Sequence, residues 1–272
     1  MMLMTQIANS TVEKFLDKIQ RLRYIDDIFL SVALDGYKPG VELILRIVTG
    51  IRRLRVLEIH TQKVVTNLYG RGVCFDIFAY AKNRRFNCEI QRHDSGAIPL
   101  RARYNSAMMD SREIQKGTDF SDLPENIVIF ICENDVLGKG LPLYHIRRVV
   151  EETGEKFADK ALIIYVNGQY RGNDPVGKLM HDFFCEKSED MNYKELADRM
   201  SFVKNNEGGV RRMCKIMEDL VKEENSIILK REQETRISRA LSMNILPLDK
   251  IAEMFEVPLS RVTEIGRAHA LL

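Results

Sequence analysis

Asp76, Glu89 and Gln91 are the residues of this 272-residue chain whose types and spacing most readily do chemistry. They lie in VCFDIFAYAKNRRFNCEIQ, two runs of strand-favouring residues separated by the polar KNRR. Read as a hairpin, Asp76 alternates with Phe75 and Ile77, and Glu89 and Gln91 alternate with Cys88 and Ile90, so the polar set of the second strand faces one way. A two-residue turn at Lys82-Asn83 puts Asp76 opposite Glu89, and a turn at Asn83-Arg84 puts it opposite Gln91. Either register clusters the three side chains. Two carboxylates converging from adjacent strands repel unless a cation lies between them, and an oxygen-only donor set suits Mg2+ or Mn2+. Such an ion can lower the pKa of bound water and offset charge developing on a phosphodiester. Gln91 can orient a water, but an amide cannot accept a proton as a general base does. A merely wet strand face explains Glu89 and Gln91 as well, yet Asp76 interrupts an apolar strand, where a carboxylate without a partner is costly if buried.

The elements that must hold this hairpin are mixed. Residues Thr11 to Leu34 carry Val12, Phe15, Ile19, Ile25, Ile28, Phe29 and Val32 at helical spacing, and Pro39 to Val48 reads as a second helix ending at Gly50. From Leu54 the period falls towards two through LRVLEIH, TQKVV, VCFDIFAY and FNCEIQ. PLRARYNSAMMDSREIQKG returns to helical periodicity, and IVIFIC is a continuous apolar run of the kind buried on both faces of a sheet. LYHIRRVV and KALIIYVNG are expected to pair as an antiparallel hairpin across a turn near Thr153-Gly154-Glu155. After Asp174 only helical patterns follow, at Val176–Cys185, Tyr193–Val203 and Val210–Arg231, with the charge-dense stretch Lys222–Arg236 as a solvated connector. In the last segment Leu248, Ile251, Ala252 and Phe255 form one stripe and Leu259, Val262 and Ile265 another, around a break at Glu256-Val257-Pro258. That layout resembles a helix-turn-helix, with Ser260 and Arg261 as candidate DNA contacts, although any small helical hairpin is built the same way.

Helix, strand, a D-x(12)-E-x-Q hairpin, a basic helix and a buried strand, in that order, resemble the PD-(D/E)XK nuclease core. YIDDIFLSVAL, TNLYGRGVCFDIFAY, FNCEIQR, RARYNSAMMDSREIQKG, LPENIVIFICENDVLGKGLPLYH and IIYVNG resemble more narrowly the Rpn-type recombination-promoting nucleases, a transposase-like group. The resemblance implies an α/β restriction-endonuclease-like core with a mixed central sheet flanked by helices, followed by an all-helical C-terminal region. It implies Asp76 and Glu89 as metal ligands and places Gln91 where the parent motif carries its catalytic lysine, so the cationic group of that motif is missing here. An acidic residue from the first helical layer often completes such sites; Glu42 is chosen for that role, with Asp27 as the alternative. A surface ion pair with Arg46, four residues on, explains Glu42 equally well. Arg101, Arg103 and Tyr104 open the helix after the site and are candidate DNA contacts, a guanidinium cluster with an aromatic being suited to a phosphate backbone. Arg92 and His93 carry the same ambiguity between contact and solvated charge.

Composition narrows the remaining classes. With 45% hydrophobic and 29% charged residues and no apolar run near the ~18–20 residues of a membrane span, a membrane protein is not expected. The first residues lack the pattern of a secretory signal, so a cytoplasmic location is the expectation. Five cysteines with no C-x-x-C pair indicate neither a disulfide framework nor a zinc ribbon. A net charge of +2 identifies no nucleic-acid partner by itself. The sequence is thus read as a nuclease-like domain over 1–185, a helical connector over 186–236 and a small helix-turn-helix-like segment over 237–272. The function expected is a Mg2+-dependent (or Mn2+-dependent) DNA endonuclease of the transposase-like group, with DNA as partner, no membrane and a homodimer allowed. The rivals are a nuclease fold that binds DNA without turnover, and an α/β interaction protein with no metal affinity.

Overall fold

Alternation around the KNRR turn produces the hairpin at the centre of the fold: β2 (Val73–Ala81) and β3 (Arg84–Gln91) pair antiparallel, with Ala81 opposite Arg84 and Ile77 opposite Cys88. The turn is therefore Lys82-Asn83, the first of the two expected registers. The computed structural model describes residues 15–67, 70–114, 116–117 and 119–269. Val12 and the rest of the expected helical start at 11–14 lie outside the described residues, as do positions 68–69 and 115 within two of the quoted motifs, and position 118.

The chain divides into two compact units, Met1–Cys214 and Lys215–Leu272. In the first, residues 15–21 are helical, followed by α1 (Asp27–Leu34) and α2 (Lys38–Thr49). The sequence reads 11–34 as one helical pattern, but the structure breaks it at 22–26, where the Asp26 carboxylate accepts from Arg23 N at 2.8 Å. An aspartate caps a backbone N–H as readily as it continues a helix, and periodicity does not register the difference. Helix α2 starts with Pro39 in its first turn and ends at Gly50, whose φ of 73° suits a residue without a Cβ.

Six strands form one sheet in the order β1-β2-β3-β4-β6-β5, with β1 at Glu58–Val65, β4 at Glu125–Cys132, β5 at Leu143–Ile146 and β6 at Ala161–Asn167. β3, β4 and β6 run parallel to one another, while β1, β2 and β5 are antiparallel to their neighbours, so the sheet is mixed as expected. Parallel pairing of β3 with β4 requires a crossover, and α3 (Pro99–Glu113) supplies it. β4 is buried along its length beyond Glu125, in agreement with its unbroken apolar run. On the face shared by Asn87, Glu89 and Gln91, Phe78, Val128, Phe130 and Tyr165 pack with Ala102, Met108 and Met109 of α3. The alternate residues Ile77, Phe86, Cys88, Ile129 and Ile164 are buried too.

Helices α4 (Pro175–Phe184) and α5 (Lys194–Asn205) complete the first unit. Leu196, Met200 and Val203 of α5 are buried, Tyr24 Oη donates to Leu196 O at 2.9 Å, and the buried Lys204 ammonium donates to Gln20 O and Glu186 O. These contacts, with the buried Val210, Met213 and Cys214, carry the first unit past residue 185, whereas the sequence reading sets its divisions at 185 and 236. Helix α6 (Glu207–Met243) has 37 residues and continues past the expected end at Arg231, there being no Gly or Pro from 210 to 243 to stop it. The second unit contains its later turns with α7 (Leu248–Met254) and α8 (Leu259–Ala268). Ile237, Leu241, Ile251, Ala252, Val262 and Ile265 make a small core, and the chain turns between α7 and α8 at Glu256, whose φ is 52°.

Candidate metal centre

Glu89 owes its position to strand parity. It belongs to the polar set of β3, but α3 covers that face, so the carboxylate is fully buried at 0% exposure. Its Oε2 accepts from Arg101 Nη2 at 2.8 Å, while Oε1 is buried with no hydrogen-bond partner among the described residues. One step beyond the Ile77–Cys88 pair sets Asp76 opposite Glu89. Asp76 is half-buried; its Oδ2 accepts from Ile90 N at 2.8 Å and its Oδ1 from Gln62 Nε2 at 3.3 Å. Gln62 lies within β1 at a φ of 50°, a left-handed conformation rare for a side chain of that size, and it also accepts from Cys74 Sγ. Gln91, at the end of β3, rests its Oε1 over Gly96, where an added Cβ would lie 1.8 Å away, and the same oxygen lies 3.5 Å from Arg101 Nη1.

Burial and mutual charge raise the acids near the hairpin. Burial raises the Asp76 carboxyl, against the Ile90 N–H and the Gln62 amide, and burial followed by the Asp76 charge pushes Glu89 up to about 7, with Arg101 and the nearby Asn87 side chain opposing, although neither polar atom of the Asn87 side chain makes a hydrogen bond among the described residues. At the start of α1, burial and then the Asp76 charge raise Asp27 to about 6, with Arg92 and Arg101 pulling the other way. Asp27 therefore senses the same charges as the hairpin acids. Glu42 does not join them. Its Oε1 accepts from Val56 N at 2.9 Å and its Oε2 is held by Arg46, so this carboxylate ties α2 to the approach of β1. The ion pair that the i+4 spacing offers is the contact observed, and of the two acids considered in the first helical layer it is Asp27 whose carboxyl is raised by the Asp76 charge.

An all-oxygen set with one buried carboxylate oxygen left without a donor, and with Glu89 and Asp27 raised by burial and then by the Asp76 charge, fits a hard divalent cation. Residues 43–169 match the family model described as PD-(D/E)XK nuclease family transposase. That segment is similar to a PD-(D/E)XK nuclease domain, and the mixed sheet flanked by helices fits the fold of one. No curated protein and no solved structure matches the chain. The matched segment contains Asp76, Glu89 and Gln91; Asp27 and Glu42 precede it.

The expected DNA-contacting residues divide. Arg101 turns inward to Glu89 and Gln91, Arg103 is exposed, and Tyr104 Oη donates to Arg71 O and accepts from Asn67 Nδ2. Arg92 is held by Asp26 and Glu133, each at 3.0 Å. In the second unit Ser260 is exposed, but Arg261 is ion-paired with Glu234 and with Glu264, so its guanidinium serves the packing of the hairpin instead of standing free.

Sequence reasoning missed Gln62, Gly96 and the inward turn of Arg101. Nothing in TQKVV marks a left-handed residue, whereas Asp94-Ser95-Gly96 is a turn signature whose glycine could have been flagged for close approach. Among the described residues, three possible ligands lie within 4.8 Å of one another only at His181, Asp182 and Cys185, around the end of α4; Asp27, Asp76 and Glu89 do not converge that closely. Asp182 there accepts from Asn192 N, Asn192 Nδ2 and Tyr193 N, each at 2.8 Å, and so is already satisfied as a loop cap. No helix among the described residues is long and apolar enough to cross a membrane.

Proposed function

We propose that this chain is a divalent-metal-dependent DNA endonuclease of the transposase-like group, acting with Mg2+ or Mn2+. The observation that carries the reading is Glu89, a fully buried carboxylate with one oxygen unpartnered, set beside Asp76 on paired strands of a nuclease-like domain. Asp76, Glu89 and Asp27 would hold the ion, in place of the Glu42 expected from sequence. When bound, it supplies a Lewis acid and an activated water for phosphodiester hydrolysis. Asp76 is fixed for ligation by Ile90 N–H, and Gln62 steadies its other oxygen. Gln91 presents an amide that can orient a water through its N–H while its carbonyl is held near Gly96 and Arg101. Exposed Arg103 and the edge of Tyr104 offer contacts to the phosphate backbone. A role in recombination of mobile DNA is part of the same proposal and follows the transposase description of the family alone.

Cleavage of supercoiled plasmid tests it. The purified protein with Mn2+ or Mg2+ is expected to nick the plasmid, and Asp76→Ala and Glu89→Ala, checked for folding, are expected to lose about a hundredfold or more of that rate. Absence of nicking by the parent, with DNA binding retained, would favour the non-catalytic nuclease fold; equal nicking by all three proteins would remove the site.

A further inference from the structure

The nuclease centre lacks a lysine at Gln91, and a cation reaches it from elsewhere. Arg101, in the first turn of α3, donates Nη2 to Glu89 Oε2 at 2.8 Å and Nη1 to Gly96 O at 3.2 Å, with Gln91 Oε1 at 3.5 Å. The pair is asymmetric in burial, the Arg101 side chain being 40% exposed and that of Glu89 0%. Arg101 also lines an open cleft of about 760 Å³ with Arg71, Cys74, Ser95, Ile98 and Tyr104, whereas Glu89 does not. The guanidinium thus stands between the cleft and the buried carboxylate. It engages only one Glu89 oxygen, the other having no donor, so the pair is not the bidentate fork that arginine and carboxylate frequently form.

We propose that Arg101 is an exchangeable cation of this centre: it neutralises Glu89 while no divalent ion is bound, yields that carboxylate to the ion, and then offers its guanidinium to a substrate phosphate in the cleft. This rests on the metal-centre reading of Asp76 and Glu89. Opening a buried ion pair is costly when it leaves a bare charge, but here one cation replaces another, so the exchange leaves no buried charge unpaired. The freed guanidinium has the planar fork that matches phosphate oxygens, and it supplies the positive charge that Gln91 cannot. Arg101 also repels an incoming ion in the resting protein, because its charge lies in contact with a ligand.

The test is Mn2+ affinity measured by calorimetry at about pH 8 in the absence of DNA, on the full chain and on Arg101→Met, which keeps an apolar stem and removes the charge. The variant is expected to bind Mn2+ about tenfold tighter while nicking plasmid about a hundredfold more slowly at saturating metal. An Arg101 that only touched DNA would leave the DNA-free affinity unchanged, and one that only supported the fold would weaken it; either result overturns the proposal. Should Arg101→Met not fold, the parent alone decides through NMR of its arginine Nε–H groups. The Arg101 resonance, assigned with Arg101→Lys, is expected to shift on adding Mg2+, and a resonance that stays put overturns the exchange. A parent that binds neither ion refutes the metal centre beneath the proposal, which distinguishes that failure from this one.

Discussion

At the scale of single residues, Glu42 makes the ion pair with Arg46 that its spacing offers, and Asp27 is the acid of the first helical layer proposed for the ion. Glu42 holds Val56 N and Arg46 from a buried position, so Glu42→Ala leaves a buried N–H and a guanidinium without their partner. It is expected to cost about 2–4 kcal/mol in a denaturant titration while leaving Mn2+ affinity within about twofold. Asp27→Asn is expected to do the reverse, weakening Mn2+ binding about tenfold or more with little loss of stability, since it removes a charge that already sits unfavourably near Asp76. If Glu42→Ala weakened metal binding and Asp27→Asn did not, the assignment would be inverted. Asp76, Glu89 and Gln91 are legible in the sequence because strand parity is local: once a hairpin is assumed, either turn clusters them. The choice between Glu42 and Asp27 is not, because it depends on where a broken helix returns to the sheet, and the break at Asp26 is invisible to periodicity.

At the scale of elements, the turn that follows β3 is part of the site. Gly96 accommodates the end of the Gln91 side chain, and a flexible side chain can move aside, so Gly96→Ala is expected to change stability by no more than about 0.5 kcal/mol. It is nevertheless expected to slow cleavage about tenfold by displacing Gln91 and, with it, Arg101. Unchanged cleavage by a folded Gly96→Ala protein would show that the Gln91 pose is immaterial. The C-terminal hairpin is legible as two helices around Glu256-Val257-Pro258, but a pattern of stripes specifies packing and not which polar residues stay free. Arg261, paired with Glu234 and Glu264, is at a surface where such pairs contribute about 1 kcal/mol or less. Arg261→Ala is accordingly expected to alter DNA affinity in a filter-binding assay by less than about twofold; a loss of about tenfold would restore the direct contact.

At the scale of the whole molecule, the proposed centre is expected to couple folding to pH and to metal. Glu89, at about 7, and Asp27, at about 6, bind protons more tightly in the folded chain than in the unfolded one. Their stabilising contribution is therefore full below about pH 4, where both forms are protonated, and is lost as pH rises through about 6 to 7. The metal-free protein is expected to melt progressively lower over that window. A divalent ion binds the ionised carboxylates, so the rise in Tm caused by Mn2+ is expected to be small at about pH 5.5 and to reach about 5 °C or more at about pH 8 with the ion at about a hundred times its Kd. A shift of equal size at both pH values would place the ion elsewhere. The most direct single measurement is an anomalous difference map from crystals grown with Mn2+ at about pH 8. The expected result is a peak about 2.2 Å from Glu89 Oε1 and from an Asp76 carboxylate oxygen; no peak there, or a peak only at His181, Asp182 and Cys185, would contradict the metal centre.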